Sequence, residues 1–306
     1  MERIHIAVLG AGRMGCGIAQ VFAAAGHPVS LYDTQPAALA AAPATIAAMS
    51  RALGQEERVG SLVFTGDLAA AVRPAGLVIE AAPENLALKR ELFQRVEALA
   101  GEQALLATNT SAIAIGEISE GMAAAARLCG MHFWNPPHLV RLVEVVQADA
   151  TADTTIQQAM SLLESIGMSP VHVRRDIPGF IGNRLQHALK REAIALVAAG
   201  VCDAATLDKV VKEGFGSRLG VIGPLEQSDL VGVDLTYAIH RYLNADLDNT
   251  PGAHPYLESL VKDGKLGMKT GEGFYTWTDE RGREVKARMD EFLARQAREK
   301  LSGQSS

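Results

Sequence analysis

The sequence predicts an α/β protein in which a doubly wound, mostly parallel N-terminal sheet is followed by an all-helical C-terminal domain. In the first half, short continuous apolar runs, typical of strands buried on both faces, alternate with segments of helical periodicity. Beyond residues 178–179 only the helical periodicity continues. A length of 306 residues suits two domains. We therefore expect one domain at residues 1–180 and a second at residues 181–300.

The first domain begins with a βαβ unit. An apolar run at residues 4–9 stops at a glycine, a helical pattern follows, and Gly26 ends that helix before a strand at residues 29–32. Further strands are predicted at residues 77–81, 104–107, 128–131 and 142–146, and further helices at residues 86–99 and 154–166. Because strands and helices alternate, we expect mostly parallel pairing.

The second domain is predicted to contain four helices, at residues 181–199, 204–213, 225–243 and 255–262. No linker rich in proline or serine separates the two halves, so we expect the helix that starts at residue 181 to bridge them. Disorder is expected only in the tail at residues 302–306.

Composition and charge exclude several classes of function. A net charge of -6 argues against nucleic-acid binding, because affinity for a phosphate backbone needs clustered Lys and Arg. Cys16, Cys129 and Cys202 lack the spacing of a disulfide framework or a metal site, so we expect no metal and a reducing compartment. The first apolar run is too short for a signal peptide or a membrane span, which favours a cytoplasmic protein without a membrane partner.

A glycine-rich turn follows the first predicted strand and opens a helix, as in the dinucleotide-binding fingerprint of a Rossmann domain. Its predicted cofactor contacts are Gly10, Gly12, Met14 and Gly15. The first glycine permits the tight turn, the second the approach of the pyrophosphate, and the third close helix–strand packing. Asp33 follows 18 residues after Gly15, where its carboxylate would bind ribose hydroxyls and repel a 2′-phosphate. NAD is therefore favoured over NADP, although Arg13 in the turn could attract such a phosphate. The alternative is an ordinary glycine turn with a surface aspartate.

A histidine and a glutamate lie on consecutive predicted strands. His132 directly follows one strand and Glu144 lies inside the next. A carboxylate that holds one ring nitrogen fixes the tautomer of a histidine and raises its basicity, which suits a general base. The alternative is a structural histidine before a turn and a glutamate paired with an arginine.

From the glycine turn to about Trp277, the sequence resembles the L-3-hydroxyacyl-CoA dehydrogenase family. The matching motifs are EAAPEN at residues 80–85 with Lys89, NTS at 109–111, HFWN at 132–135 with Glu144, PGFIGNR at 178–184, and KTGEGFY at 269–275. The resemblance implies hydride transfer between the carbinol carbon of a 3-hydroxyacyl substrate and NAD. It also implies a homodimer formed through the helical domain, which would carry substrate-binding residues.

The resemblance assigns roles residue by residue. It makes His132 the general base and Glu144 its orienting partner, with Ser111 and Asn183 bound to the reacting oxygen. Asn135 helps to hold the site. The resemblance also implies that the nicotinamide and ribose end of NAD is lined by Glu84, Lys89, Asn109 and Lys269. Without the resemblance, these last four residues would be interpreted as surface charges, a turn residue and part of a flexible loop.

Two segments depart from the family pattern. The region between the second strand and the next strand-like run looks short, and no lysine precedes Lys89. Only Arg51 and Arg58 could meet the 3′-phosphate of coenzyme A there, which weakens that assignment. Arg218 replaces an apolar residue and could bind a substrate carboxylate bidentately, as expected for the branch that acts on free acids. Alternatively, Arg218 pairs with Asp229 or Glu226.

That branch includes gulonate and carnitine dehydrogenases and the pyridine aldehyde acid dehydrogenase of vitamin B6 breakdown. An aldehyde would also be oxidised on this scaffold if water adds first, because the hydrate presents a hydroxyl to His132 and a hydride to NAD. Outside catalysis, the alternative is a redox-silent protein like the lens crystallin of the same family, since fold alone does not determine function.

Overall fold

The computed structural model describes residues 3–55 and 61–302. The chain forms two compact units, Met1–Arg184 together with Met289–Ser306, and Leu185–Arg288. The expected boundary at residue 180 lies close to the first division. The expectation for the tail at 303–306 and the candidate Arg58 lie outside the described residues.

The first unit contains one eight-stranded sheet. Its strands are β1 Ile6–Leu9, β2 Val29–Tyr32, β3 Leu62–Thr65, β4 Leu77–Glu80, β5 Leu105–Thr108, β6 Leu128–Phe133, β7 Leu142–Val146 and β8 Ser169–Val173. They are arranged in the order β3-β2-β1-β4-β5-β6-β7-β8, and all pairs are parallel except β6 with β7. The predicted Rossmann sheet is thus confirmed. The chain order reverses between β1 and β4, which is where ligands bind in open α/β sheets.

Helices cover both faces of this sheet. The first unit contains α1 Arg13–Ala24, α2 Pro36–Leu53, α3 Leu68–Val72, α4 Leu86–Leu99, α5 Ile115–Ile118 and α6 Asp153–Ser165. Ile6 and Val8 of β1 pack with α1, α2 and α6, whereas Ala7 and Leu9 pack with α3, α4 and α5. The strand is buried on both faces, which explains its continuous apolar sequence.

The second unit is helical, as predicted. Its helices are α7 Gly182–Ala198, which begins in the first unit, then α8 Ala204–Glu213, α9 Pro224–Val231, α10 Val233–Leu243 and α11 Pro255–Lys262. The single helix expected at residues 225–243 is wrong, because Gly232 interrupts it with a φ of 101°. In this fully described unit, Leu260 is the only hydrophobic side chain that is buried.

The last helix, α12 Asp279–Ser302, was not predicted, and its C-terminal part belongs to the first unit. Ala294 and Ala297 pack there against Leu53 and Leu139. Arg298 donates a hydrogen bond of 3.0 Å to the carbonyl of Ala52. Over the described part of the chain, we find no helix that is long and apolar enough to cross a membrane.

Candidate active site

The three glycines of the turn after β1 have different steric surroundings. A Cβ atom on Gly10, whose φ is 113°, would lie 2.6 Å from the carbonyl oxygen of Ala81. One on Gly15 would lie 1.8 Å from the carbonyl oxygen of Gly10, whereas one on Gly12 would meet no atom within 4 Å. The first and third positions therefore require glycine for internal packing, and the second leaves open space beside the backbone.

The N-terminus of α1 is suited to an anion. Its N-cap, Gly12, provides no side-chain cap, and its first turn contains no acidic residue. Its first backbone N–H groups therefore offer donors and positive potential to a phosphate. Met14, in this first turn, packs against the core.

Asp33 lies at the end of β2 and is partly exposed. One carboxylate oxygen accepts a hydrogen bond of 2.7 Å from the Ala11 amide, and the other accepts one of 2.8 Å from the Gln35 amide. The carboxylate is thus fixed beside the glycine turn, where it can meet a ribose. The open Gly12, the uncapped helix and Asp33 fit a dinucleotide whose ribose carries no phosphate.

His132 and Glu144 form a buried pair. They lie directly opposite each other in the antiparallel register of β6 and β7. The distance from His132 Nδ1 to Glu144 Oε2 is 2.8 Å, and their side chains are 8% and 2% exposed. Because Nδ1 is engaged by the carboxylate, Nε2 is the ring nitrogen that can exchange a proton with a substrate.

The second oxygen of Glu144 is held by the start of α7. Oε1 accepts backbone hydrogen bonds of 2.9 Å from Ile181 and 3.0 Å from Gly182. The chain enters α7 through two left-handed residues, Gly179 with φ 75° and Phe180 with φ 49°. Burial raises the pKa of Glu144, but the hydrogen bonds from His132, Gly182 and Ile181 lower it by more, so its carboxylate stays ionised.

Two aromatic rings enclose His132. The ring centroids of Phe180 and Trp134 lie 5.6 Å and 5.7 Å from that of the imidazole. Phe180 is fully buried, and Trp134 packs so closely on Gly182 that a Cβ there would lie 2.2 Å from its ring. This packing restricts the imidazole to one orientation.

Ser111 and Asn183 are brought together next to this pair of strands. Ser111 follows β5 and is exposed, and the Asn183 side-chain amide donates a hydrogen bond of 3.1 Å to the Ser111 carbonyl. The Asn109 side chain accepts a hydrogen bond of 2.8 Å from the amide of Phe133, which ties the end of β5 to the end of β6. The hydroxyl of Ser111 remains available to a ligand.

Glu84 and Lys89 make extensive contacts within the protein. Lys89 Nζ lies 2.7 Å from Glu80 and 3.4 Å from Glu84. Glu84 also accepts hydrogen bonds from the Thr110 hydroxyl and the Ser111 and Ala112 amides. Burial raises the pKa of Glu84, but the hydrogen bond from Thr110, the charge of Lys89 and the two amides lower it by more.

Three predicted site residues take no part in the hydrogen bonds and ion pairs described above. Asn135 directly follows Trp134 in the chain and is exposed. Lys269 and Arg218 belong to the second unit, where both are exposed and Lys269 lines a pocket. Within the described residues, Arg218 forms no ion pair, so its suggested pairing with Asp229 or Glu226 is not formed.

Sequence reasoning missed two residues of the site. The sequence predicts no separate role for Glu80, which belongs to the EAAPEN motif, or for Phe180, which belongs to the PGFIGNR motif. An acidic residue at the end of a fully buried strand signals a partner in the core, and here this partner is Lys89. No comparable sequence signal indicates the left-handed backbone of Phe180.

A Rossmann sheet, an open glycine turn, an aspartate fixed at the end of β2 and a buried histidine–carboxylate pair are features of NAD-dependent dehydrogenases. The chain belongs to the 3-hydroxyacyl-CoA dehydrogenase family. Residues 5–177 match its NAD-binding domain and residues 179–277 its C-terminal domain.

Individual relatives fall into two functional groups. The chain is 36% identical to 5-formyl-3-hydroxy-2-methylpyridine 4-carboxylate 5-dehydrogenase of Mesorhizobium japonicum, with 92% of this chain and 94% of the relative covered. A crystal structure of an enzyme with this activity, described as an NAD+ dependent dismutase, superimposes with a TM-score of 0.92 at 35% identity and covers 98% of this chain and 99% of its own. Mitochondrial hydroxyacyl-coenzyme A dehydrogenase of Rattus norvegicus is 36% identical, with 89% and 91% covered.

Proposed function

We propose that this NAD-dependent enzyme oxidises a small free carboxylic acid at a hydroxyl-bearing carbon or at a hydrated aldehyde, with His132 as the general base. The observation that carries the proposal is the buried His132–Glu144 pair, in which both oxygens of Glu144 are engaged and only Nε2 of the imidazole is left for the substrate. A buried, oriented histidine of this kind is suited to proton transfer near neutral pH.

In the proposed reaction, His132 Nε2 removes the hydroxyl proton while the C–H bond of the same carbon breaks. When NAD is bound, its nicotinamide ring accepts the hydride. Ser111 and Asn183 hydrogen-bond the reacting oxygen and hold it near His132. Glu144 stabilises the imidazolium that forms, because its carboxylate stays ionised. An alcohol gives a carbonyl compound, and a hydrated aldehyde gives a carboxylic acid.

The same residues serve the reverse direction. His132, once protonated, donates its proton to the oxygen of an unhydrated aldehyde as hydride returns, and an alcohol results. Oxidation of one aldehyde molecule and reduction of another would then balance without net consumption of cofactor. The relative described as an NAD+ dependent dismutase supports this mode of action.

Two observations support a free acid over a coenzyme A thioester. The helix α2 carries a single basic residue, Arg51, so little positive charge is available for the 3′-phosphate of coenzyme A. Arg218 is exposed and unpaired among the described residues, so its guanidinium is available to a carboxylate. The pyridine carboxylate dehydrogenase of M. japonicum is a relative with a free-acid substrate.

A 3-hydroxyacyl-CoA remains the second candidate, supported by the similarity to the rat enzyme over 89% of the chain. Initial rates with NAD for a panel of free hydroxy acids and aldehyde acids, measured beside acetoacetyl-CoA with NADH, test both candidates. Arg218→Met should weaken binding of a free acid by about 1.5–3 kcal/mol, the usual range for a hydrogen bond to a charged group. A variant that keeps its free-acid Michaelis constant would remove Arg218 from the site.

We propose that two sets of residues hold the cofactor. The turn after β1 and the end of β2 contact it through Gly10, Gly12, Met14, Gly15 and Asp33. The residues at its nicotinamide and ribose end are Glu84, Lys89, Asn109 and Lys269. Asp33 supports a preference for NAD over NADP, because its charge repels a 2′-phosphate. Dissociation constants for NAD and NADP test this preference. Asp33→Ala should bring the two closer, and equal constants for the unaltered protein would contradict the assignment.

We also propose a homodimer formed through the second unit, in a reducing, cytoplasmic setting. Helices α7, α8, α9 and α10 bury no residue within a single chain. Val221, Leu225 and Tyr242 are between 82% and 90% exposed. A pocket of about 670 Å³ with mainly apolar walls also opens between α7, α8 and α11. Cys16, Cys129 and Cys202 are free thiols, which suits such a compartment.

Sedimentation analysis of the protein and of Leu225→Arg tests the dimer. A charge at the centre of an apolar interface should shift the protein toward a monomer. A monomeric unaltered protein would contradict the proposal.

A further inference from the structure

We propose that Glu84 is a positioning residue that fixes Ser111 in the active site, and that the buried Lys89 holds Glu84 in place. The inference rests on the proposed function in one respect, namely that Ser111 binds the reacting oxygen. It gives Glu84 and Lys89 an effect on catalysis that does not require contact with the cofactor.

A single oxygen of Glu84 organises the turn after β5. Oε1 accepts hydrogen bonds of 2.6 Å from the Thr110 hydroxyl, 3.0 Å from the Ser111 amide and 3.0 Å from the Ala112 amide. These donors lie 26 to 28 residues away in sequence, so the bonds join two separate segments. The Thr110 hydroxyl in turn accepts a bond of 3.2 Å from the Ile113 amide, which extends the ordered turn.

Both peptide groups of Ser111 are thereby engaged. Its N–H donates to Glu84, and its carbonyl accepts from the side-chain amide of Asn183 at 3.1 Å. The backbone of Ser111 is fixed on two sides by residues from different elements, whereas its side chain is exposed. The hydroxyl is therefore the one polar group of Ser111 that remains for a substrate, and its position depends on Glu84 and Asn183.

Lys89 anchors Glu84 to the sheet. Its side chain is 1% exposed, and its ammonium group lies 2.7 Å from Glu80, 3.4 Å from the second oxygen of Glu84 and 3.4 Å from the carbonyl of Ala82. Glu80 is fully buried and also accepts bonds of 2.6 Å from the Thr108 hydroxyl and from the Ala82 amide. A ligand would have to displace one of these contacts to reach the ammonium group.

This arrangement explains why an ionised carboxylate is useful at residue 84. Three donors converge on one oxygen, and hydrogen bonds to an ionised acceptor are about twice as strong as those between neutral groups. A positioned group that moves by about 1 Å can lower the rate on the order of a hundredfold. Substitution of Glu84 should therefore lower the rate of the chemical step.

The test compares Glu84→Ala, Glu84→Gln, Ser111→Ala and the double variant Glu84→Ala/Ser111→Ala. For each, kcat and the substrate KM are measured at saturating NAD, and the NAD dissociation constant is measured separately by fluorescence titration. Glu91→Ala is the matched control, because Glu91 is an exposed glutamate on α4, the helix that follows Glu84 in the chain. Thermal unfolding of every variant monitors folding.

We expect Glu84→Ala to lower kcat roughly tenfold to a hundredfold, as for a misplaced catalytic contact, with NAD affinity changed less than about threefold. Glu84→Gln should recover part of the loss, because its amide oxygen can accept the same three bonds. The double variant should be no slower than Ser111→Ala alone, since residues that act through one group are not additive. The control should match the unaltered protein.

Three results would overturn the proposal. A Glu84→Ala variant that binds NAD weakly but turns over normally at saturating NAD would make Glu84 a cofactor ligand only. Effects of Glu84→Ala and Ser111→Ala that multiply in the double variant would mean that they act independently. If Ser111→Ala leaves kcat unchanged, the proposed function fails at Ser111, and a persistent effect of Glu84→Ala would show that Glu84 acts through another residue.

Discussion

The carboxylates of Glu144 and Glu84 are held in parallel ways at two places in the first unit. Each directs one oxygen to a basic side chain, His132 for Glu144 and Lys89 for Glu84. Each directs its other oxygen to two consecutive backbone N–H groups of a neighbouring segment. In both cases the carboxylate joins a basic side chain to a separate part of the chain.

The difference lies in the basic partner. Imidazole is the side-chain group commonly used for proton transfer near neutral pH, whereas a lysine ammonium group commonly provides a fixed positive charge. Under the proposed mechanism, the same mode of attachment serves proton transfer at Glu144 and positioning at Glu84. The Glu144 side chain is 2% exposed and that of Glu84 is 37% exposed, so solvent screens the charge of Glu84 more strongly.

The largest effect is expected from removal of the buried ammonium group. Lys89→Met should lower the free energy of unfolding by about 3–5 kcal/mol, because it removes the basic partner of the fully buried Glu80 side chain. Urea denaturation measures this loss. Glu80→Gln combined with Lys89→Met should recover much of the stability, and a loss below about 1 kcal/mol in the single variant would contradict a structural role for Lys89.

Removal of the histidine should affect turnover instead. His132→Ala should lower kcat roughly a hundredfold or more, as for loss of a positioned general base, with NAD affinity intact. Glu144→Gln should act in the same direction, because the amide cannot stabilise an imidazolium. Steady-state rates and NAD titrations check both variants. Near-normal turnover in His132→Ala would rule out the proposed base.

The smallest expected effect is a difference in acid sensitivity. The pKa values of Glu144 and Glu84 lie below their ordinary value of 4.5 in the folded protein. The stability that each contributes is therefore present above about pH 4.5 and is lost as the pH falls through the lowered pKa.

Glu144→Gln should thus flatten the fall in stability below about pH 4.5, and Glu84→Gln should flatten it less, because solvent screens the more exposed group. Urea midpoints from pH 7 to pH 3 measure both slopes. A steeper acid dependence in either variant would contradict the direction of the pKa shifts.

Much of the fold could be predicted from apolar patterns. Strands β2 and β7 and helices α4, α8 and α11 have the predicted bounds, because each is either fully apolar or strongly periodic. Strands β3 and β8 escaped prediction, since they lie at the two edges of the sheet and are partly exposed. Helix α12 is dominated by charged residues, so it shows no clear apolar face in the sequence.

The candidate site was predictable where function requires particular residue types. The contact between His132 and Glu144 was expected because the two residues lie on consecutive predicted strands. The antiparallel register of β6 and β7 sets them opposite each other. The burial of Lys89 was not predicted. The sequence does not show that Glu80, nine residues earlier, is its buried partner. The hydrogen bond from the Ser111 amide to Glu84 was not predicted either. It depends on how the loop after β4 packs against the loop after β5.

The return of α12 to the first unit makes the second unit an insertion within the first. The apolar cluster of Leu53, Leu139, Ala294 and Ala297 joins α2 and the segment between β6 and β7 to α12. A fragment that ends at residue 177, where the match to the NAD-binding domain ends, would therefore lack α12. Leu53 and Leu139 would lose the helix that packs on them. During synthesis, the first unit also cannot be completed until α12 has left the ribosome, so the helical insertion is available to fold before the first unit is complete.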